Sequence, residues 1–123
     1  MHIEVPPVKY DDLRRRNPAE PSAAIKQRVE EARAFQRKRF AGTDITCNAY
    51  IPPALLRDLC PMENDAVRFM ETSFSRMGLT ARSHDRILRV ARTIADLAGS
   101  ETIAIEHLAE SFQYRCFDRS NRF

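Results

Sequence analysis

The segment from Thr80 to Gly99 most strongly restricts what this chain can fold into. Thr80 is a typical helix N-cap and Gly99 a typical helix terminator. Between them, the apolar residues recur with the period of an α-helix and cover about half of its circumference. They are Ile87, Val90, Ala91, Ile94, Leu97 and Ala98. Such a helix must lie at the centre of a core, so we expect Ile94→Asp to unfold the domain by burying an unpaired carboxylate.

Shorter stretches with the same period predict helices on both sides of this segment. Proline suits a first helical turn, so a short helix should span residues 52–59. Further helices are predicted over residues 64–77, where Gly78 acts as a stop, and over residues 105–115. A helix over residues 22–40 should turn one apolar face inward, formed by Ile25, Val29, Ala32, Phe35 and Phe40.

These elements predict an all-α fold, a small bundle of four to five helices with an extended N-terminal segment. In that segment Ile3 and Val5 alternate with polar neighbours until Pro6, which is typical of the end of a strand over residues 2–8. A single strand has no partner here, so we expect its partners to lie outside this chain. The predicted parts are an extended segment and connector over 1–21, a helical domain over 22–117 and a disordered tail over 118–123.

Composition is consistent with one soluble domain and narrows the partners only slightly. The chain has 123 residues, of which 43% are hydrophobic and 30% charged, and its net charge is +3. This mild basicity fits a phosphate-bearing partner without requiring one. No apolar run approaches the ~18 residues of a membrane span, so we expect a cytoplasmic protein with no membrane contact. The scattered Cys47, Cys60 and Cys116 are interpreted as reduced thiols.

The motifs of independent catalysis are missing from this sequence. With only Gly42, Gly78 and Gly99, the chain cannot build a glycine-rich phosphate loop. No cysteine or histidine spacing matches a metal site, and the three histidines are isolated from one another. We therefore predict no catalytic residues, no metal site and no enzymatic activity for this chain alone.

Arg82 departs from the local preference of the helix in which it lies. It falls in the first turn of the helix after Thr80, where the positive end of the helix dipole makes a cation unfavourable by about 0.3 kcal/mol or more. Such departures mark candidate functional residues, and an arginine at a helix start can offer two parallel hydrogen bonds to a phosphate. The alternative is that Asp85 and solvent neutralise it. Arg86 and Arg89 continue the same face, either as a supporting basic surface or as a solvated charged one.

Two segments of the chain carry the most specific pattern: residues 79–99, LTARSHDRILRVARTIADLAG, and residues 106–115, EHLAESFQYR. Supporting segments are IEVP at 3–6, QRKRF at 36–40 and NAYIP at 48–52. Together these segments resemble the bacterial magnesium-chelatase-like AAA+ ATPases, the group that includes the ComM family. The resemblance covers nearly the whole chain.

The resemblance implies that this chain is the C-terminal lid of a longer AAA+ ATPase, its parent. The core domain that binds ATP and Mg²⁺ would lie upstream, and the isolated lid would bind neither. Arg82 matches the position of the sensor-2 arginine, which contacts the γ-phosphate of ATP. The implied partners are the upstream core, the neighbouring subunits of a ring, expected to be a hexamer, and DNA through the parent, in a remodelling role.

Two other functions remain open, the first from the residues and the second from the resemblance. One is a free-standing basic helical module that binds DNA or a protein partner, which would show a DNA affinity that falls steeply with added salt. The other is the lid of a metal-chelatase subunit, although no magnesium or porphyrin site is visible in the sequence. A lid should bind DNA weakly or not at all and should not hydrolyse ATP by itself.

Overall fold

In a computed structural model that describes residues 1–15 and 18–115, the chain is entirely helical apart from its turns and extended segments. This confirms the all-α fold class. The described residues form six α-helices: α1 (Tyr10–Arg14), α2 (Ser22–Arg39), α3 (Leu56–Leu59), α4 (Asn64–Met77), α5 (Ala81–Leu97) and α6 (Ile105–Gln113). Two 3₁₀ turns, Asn48–Tyr50 and Pro53–Leu55, lie between α2 and α3.

Helix α5 is the centre of the packing, as the sequence predicts. It contacts α2, α3, α6 and the turn Asn48–Tyr50, while α4 packs against α6. The ring of Phe69 on α4 meets the ring of Phe112 on α6 edge to face, with their centroids 5.8 Å apart. Buried apolar residues of all these elements form one core: Phe40, Ile51, Leu56, Cys60, Ala66, Met70, Ile87, Leu88, Ala91, Ala95, Ile103, Leu108 and Phe112.

The buried face of α5 is not the face that the apolar pattern predicts. Ile87 and Ala91 are buried as expected, but Leu97 is 51% exposed and Ala98 is also exposed. The residues buried in addition are Leu88, Arg92, Ala95 and Asp96. At 100° per residue, this rotates the buried arc by roughly a quarter turn. The reason is that two charged residues, which no apolar count would place inside, lie in the interior with their partners.

Helix α2 is only partly covered along its predicted apolar face. Ala32 and Phe40 are 4% exposed, whereas Ile25, Val29 and Phe35 are each more than 40% exposed. The prediction is therefore correct for the half of the face that meets α5 and wrong for the rest. At the end of α4 the predicted stop is confirmed, because Gly78 has a left-handed φ of 57°.

The N-terminal segment is extended but forms no strand within the described residues. Ile3 and Val5 are 69% and 84% exposed, and no described residue pairs as a strand with residues 2–8, so a strand with partners outside this chain stays a prediction. The His2 N–H instead donates to the Tyr114 carbonyl oxygen at 3.0 Å. Helix α1 lies in the predicted connector, where two aspartates in its first turn favour a helix. The predicted tail over residues 118–123 is outside the described residues.

Candidate functional site

Arg82 lies on the surface at the start of the central helix. Thr80 caps α5 as predicted, since its hydroxyl oxygen accepts a hydrogen bond from the Ser83 N–H at 3.2 Å. Arg82 follows in the first turn and is exposed, and its side chain has no hydrogen bond or ion pair to any other described residue. The first N–H groups of a helix also lack partners within it. A free guanidinium and unpaired backbone donors therefore face solvent at the same helix end, which is an arrangement that suits an anion.

Asp85 does not neutralise Arg82 in this structure. Its carboxylate lies 3.2 Å from Nδ1 of His84, and both side chains are partly buried. The His84 ring in turn meets the ring of Phe74 on α4 edge to face, at 6.2 Å between centroids. Asp85 and His84 thus contact each other, which leaves Arg82 without a carboxylate partner among the described residues.

The other two predicted arginines of this face have different surroundings. Arg86 is exposed and borders a small cavity between α5 and α6. Arg89 is half-buried and donates from Nε and Nη2 to the Ile51 carbonyl oxygen, at 3.1 Å and 2.8 Å. The structure therefore keeps Arg82 and Arg86 on the surface, whereas Arg89 is engaged inside the fold and fixes the segment that leads to the turn Pro53–Leu55.

A buried arginine of α5 forms an ion pair within the helix and also joins the helix to the loop that follows it. Arg92 is completely buried, and its guanidinium contacts Asp96 through Nε at 3.2 Å. It also donates to the carbonyl oxygens of Ser100 at 2.5 Å and Glu101 at 2.8 Å. Burial lowers the pKa of Arg92 from its ordinary value, and Asp96 opposes that shift. The arginine remains charged at any physiological pH because its ordinary pKa is so high.

The same aspartate ties α2 to α5. Arg39, in the last turn of α2, donates to both carboxylate oxygens of Asp96, at 2.9 Å and 2.5 Å. Asn48 donates to the Asp96 carboxylate at 2.8 Å and accepts from Arg39 at 3.0 Å. One buried carboxylate thus serves two guanidiniums and an amide. We call Arg39, Asn48, Arg92 and Asp96 the polar core.

The sequence analysis did not single out the polar core. The available signal was the spacing of Arg92 and Asp96, which are four residues apart on a strongly amphipathic helix. That spacing is equally common on solvated helix faces, so it does not distinguish a buried pair from an exposed one. The partners Arg39 and Asn48 lie 57 and 48 residues from Asp96 along the chain, a separation that no local pattern reports.

The cysteines and possible metal ligands of the described residues suggest no additional chemistry. Cys60 is a buried free thiol whose pKa is raised to about 11, chiefly by desolvation, and Cys47 is a half-buried free thiol. Cys116 lies outside the described residues. In the parts of the chain that the structure describes, no group of three or more histidine, cysteine or acidic side chains could hold a metal ion. None of the helices described here has the length and apolar character to cross a bilayer.

Comparison with known proteins gives a match over most of the chain. Residues 19–115 match the protein family described as magnesium chelatase, subunit ChlI C-terminal. This range begins just before α2 and includes α2 to α6 together with Arg82 and the polar core.

Individual relatives agree with this assignment. The protein named YifB in Escherichia coli is 39% identical over 102 residues, which are 83% of this chain and 19% of that protein. Competence protein ComM of Haemophilus influenzae is 35% identical over 120 residues, which are 97% of this chain and 23% of that protein. The chain thus spans less than a quarter of the length of these relatives. It belongs to the C-terminal domains of the magnesium-chelatase-like proteins of the ComM family.

Proposed function

We propose that this chain is the lid of a larger AAA+ ATPase and closes over ATP held by an upstream core domain. In this role Arg82 is the sensor that contacts the γ-phosphate, and Mg²⁺ accompanies the ATP in the core. The lid itself holds neither ligand and has no ATPase activity alone. Binding and hydrolysis of ATP would move the lid relative to the core, and the ring of subunits would transmit that movement.

The observation that carries this proposal is the free guanidinium of Arg82. Arg89 and Arg92 lie further along the same helix, and their guanidiniums already form hydrogen bonds within the fold. Arg82 is exposed and has no partner in the described part of the chain, at a position where helix stability does not favour a cation. A guanidinium of this kind can form two parallel hydrogen bonds to a phosphate that another domain presents.

The packing of α5 supports a coupling role. The helix that begins beside Arg82 is held near its other end by the polar core, which also includes the last turn of α2. Packed helices with such contacts move as one body, because the interior is too dense to deform gradually. A force on Arg82 would therefore displace the whole domain and not a single side chain.

The test is ATP turnover by the full-length protein that contains the upstream core. We expect Arg82→Ala to lower the turnover number roughly 100-fold or more, as the loss of one charged donor to a developing phosphate charge typically does. Arg57→Ala is the matched control, since Arg57 is an exposed arginine on α3. It should leave turnover unchanged. Wild-type turnover in Arg82→Ala, with the fold intact by circular dichroism, would reject the sensor role.

For the parent we further propose a cytoplasmic ring, a hexamer, that remodels DNA. The support is similarity to a protein named for competence, together with the mildly basic charge of this chain. A metal-chelatase lid is the competing assignment, which the description of the matched family favours.

Fluorescence anisotropy with a labelled DNA duplex separates the lid from a free-standing DNA-binding module. If the chain is a lid, the 123-residue chain alone should bind the duplex only weakly at 150 mM salt. Tight binding that weakens about tenfold or more as salt is raised from 50 to 200 mM would favour the DNA-binding module, because such a decrease reports the release of counterions from about two or more phosphate contacts.

A further inference from the structure

A small cavity opens where α5 meets α6, on the side of Arg86. Its volume is about 120 Å³, and it is bordered by Arg86 from α5 and by Tyr114 and Arg115 just after α6. His2 of the N-terminal segment borders it as well. Two arginines and a histidine therefore border one small space, and no carboxylate is among the residues that border it.

The packing of α6 on α5 brings the two arginines to the same place. The Ser111 hydroxyl donates to the Ile87 carbonyl oxygen at 2.9 Å, which joins the two helices in the interior. Arg86 directly precedes Ile87, and Arg115 follows Ser111 by about one helical turn. The His2 N–H, which donates to the Tyr114 carbonyl oxygen at 3.0 Å, holds the N-terminal segment beside this junction.

One donor of the Arg115 side chain is left without a partner. Nη1 of Arg115 is buried from solvent and makes no hydrogen bond in the structure. A buried donor of a charged group that lacks a partner destabilises the fold. The carboxylate of Glu110 accepts a hydrogen bond from the Tyr114 hydroxyl at 3.0 Å and does not border the cavity. Arg115 is therefore a cationic residue at the cavity that no carboxylate among the bordering residues neutralises.

We propose that this cavity is a phosphate-binding site in which Arg86 and Arg115 are the two cations. A tetrahedral oxyanion presents several acceptors, which suit two arginines, one on α5 and the other just after α6. A water molecule needs about 10–15 Å³ of such space, so about 120 Å³ holds one phosphate group with some water but not a nucleoside. The phosphate is either free inorganic phosphate or the terminal phosphate of a nucleotide. The site is separate from Arg82 and does not depend on the sensor role proposed above.

The experiment is an NMR titration of the ¹⁵N-labelled 123-residue chain with inorganic phosphate, and in a second arm with ATP. Sodium chloride at equal ionic strength is the reference. We expect saturable shifts of the arginine Nε–Hε signals of Arg86 and Arg115 and of the Ser111 amide. Saturation with inorganic phosphate assigns the free ion, and saturation with ATP alone assigns a nucleotide phosphate.

Matched variants test which residues form the site. Arg86→Gln and Arg115→Gln should each weaken binding at least tenfold, whereas Arg57→Gln should bind as the wild type does. If Arg115→Gln unfolds the domain, Arg115→Lys replaces it, with its melting temperature measured first. The lysine keeps the charge but offers one donor group in place of a fork, so we again expect weaker binding.

Three outcomes would overturn the proposal. They are the absence of saturable shifts with either ligand, equal shifts with chloride, and binding that survives in both Arg86→Gln and Arg115→Gln. The titration measures no ATP turnover, so it can fail while the sensor role of Arg82 stands. Conversely, the loss of that role would leave this site untouched.

Discussion

Replacing Asp96 with alanine is expected to destabilise the domain by about 3–5 kcal/mol. The carboxylate is 2% exposed and compensates Arg92, which is 0% exposed, while it also accepts from Arg39 and Asn48. Its removal leaves a buried guanidinium without an opposite charge. For a domain of this size the melting temperature should fall by more than about 10 °C, as thermal circular dichroism would measure.

Two further variants show whether the cause is the buried charge. Asp58→Ala removes an exposed carboxylate from α3 and should change the melting temperature by only a few degrees. In an Arg92→Met background, Asp96→Ala should cost clearly less than in the wild type, because the fully buried cation is gone and Arg39 has access to solvent. An equal cost in both backgrounds would mean that Arg92 and Asp96 are not energetically coupled.

Ala95→Asp is expected to leave the chain unfolded. Ala95 is 0% exposed on the face of α5 that the structure buries, so the new carboxylate would have no water, and the nearby Arg92 is already paired with Asp96. The cost should exceed about 4 kcal/mol, a large part of the stability of a small domain. The loss of the helical signal at 222 nm, or of a cooperative melt, is the measurement.

Ile94→Asp is the matched comparison on the neighbouring residue. The apolar pattern makes Ile94 a core position, but in the structure it is only half-buried, so an aspartate there retains contact with water. We now expect Ile94→Asp to destabilise the domain without unfolding it. If Ile94→Asp lowers the free energy of unfolding more than Ala95→Asp does, Ile94 and not Ala95 lies on the buried face of α5.

The helices themselves could be predicted from the sequence, and the reason is local. Helix ends depend on residues close in sequence, such as the cap at Thr80 and the left-handed Gly78, and helix type depends on a period of about 3.6 residues. The same local reasoning singled out Arg82, because it is a cation in the first turn of its helix, where the helix dipole disfavours positive charge. It cannot decide the strand near Ile3 and Val5, since a strand exists only through pairing with another strand, and the expected partners lie outside this chain.

The tertiary structure alone decided which faces are buried and which arginines are free. Four arginines of α5 look alike along the chain, yet Arg82 and Arg86 face solvent, Arg89 holds the Ile51 carbonyl, and Arg92 lies in the polar core. Their roles differ because each depends on groups that are distant in sequence. A buried charge is tolerated only where the fold brings such partners to it, and the period of a helix carries no information about these long-range contacts.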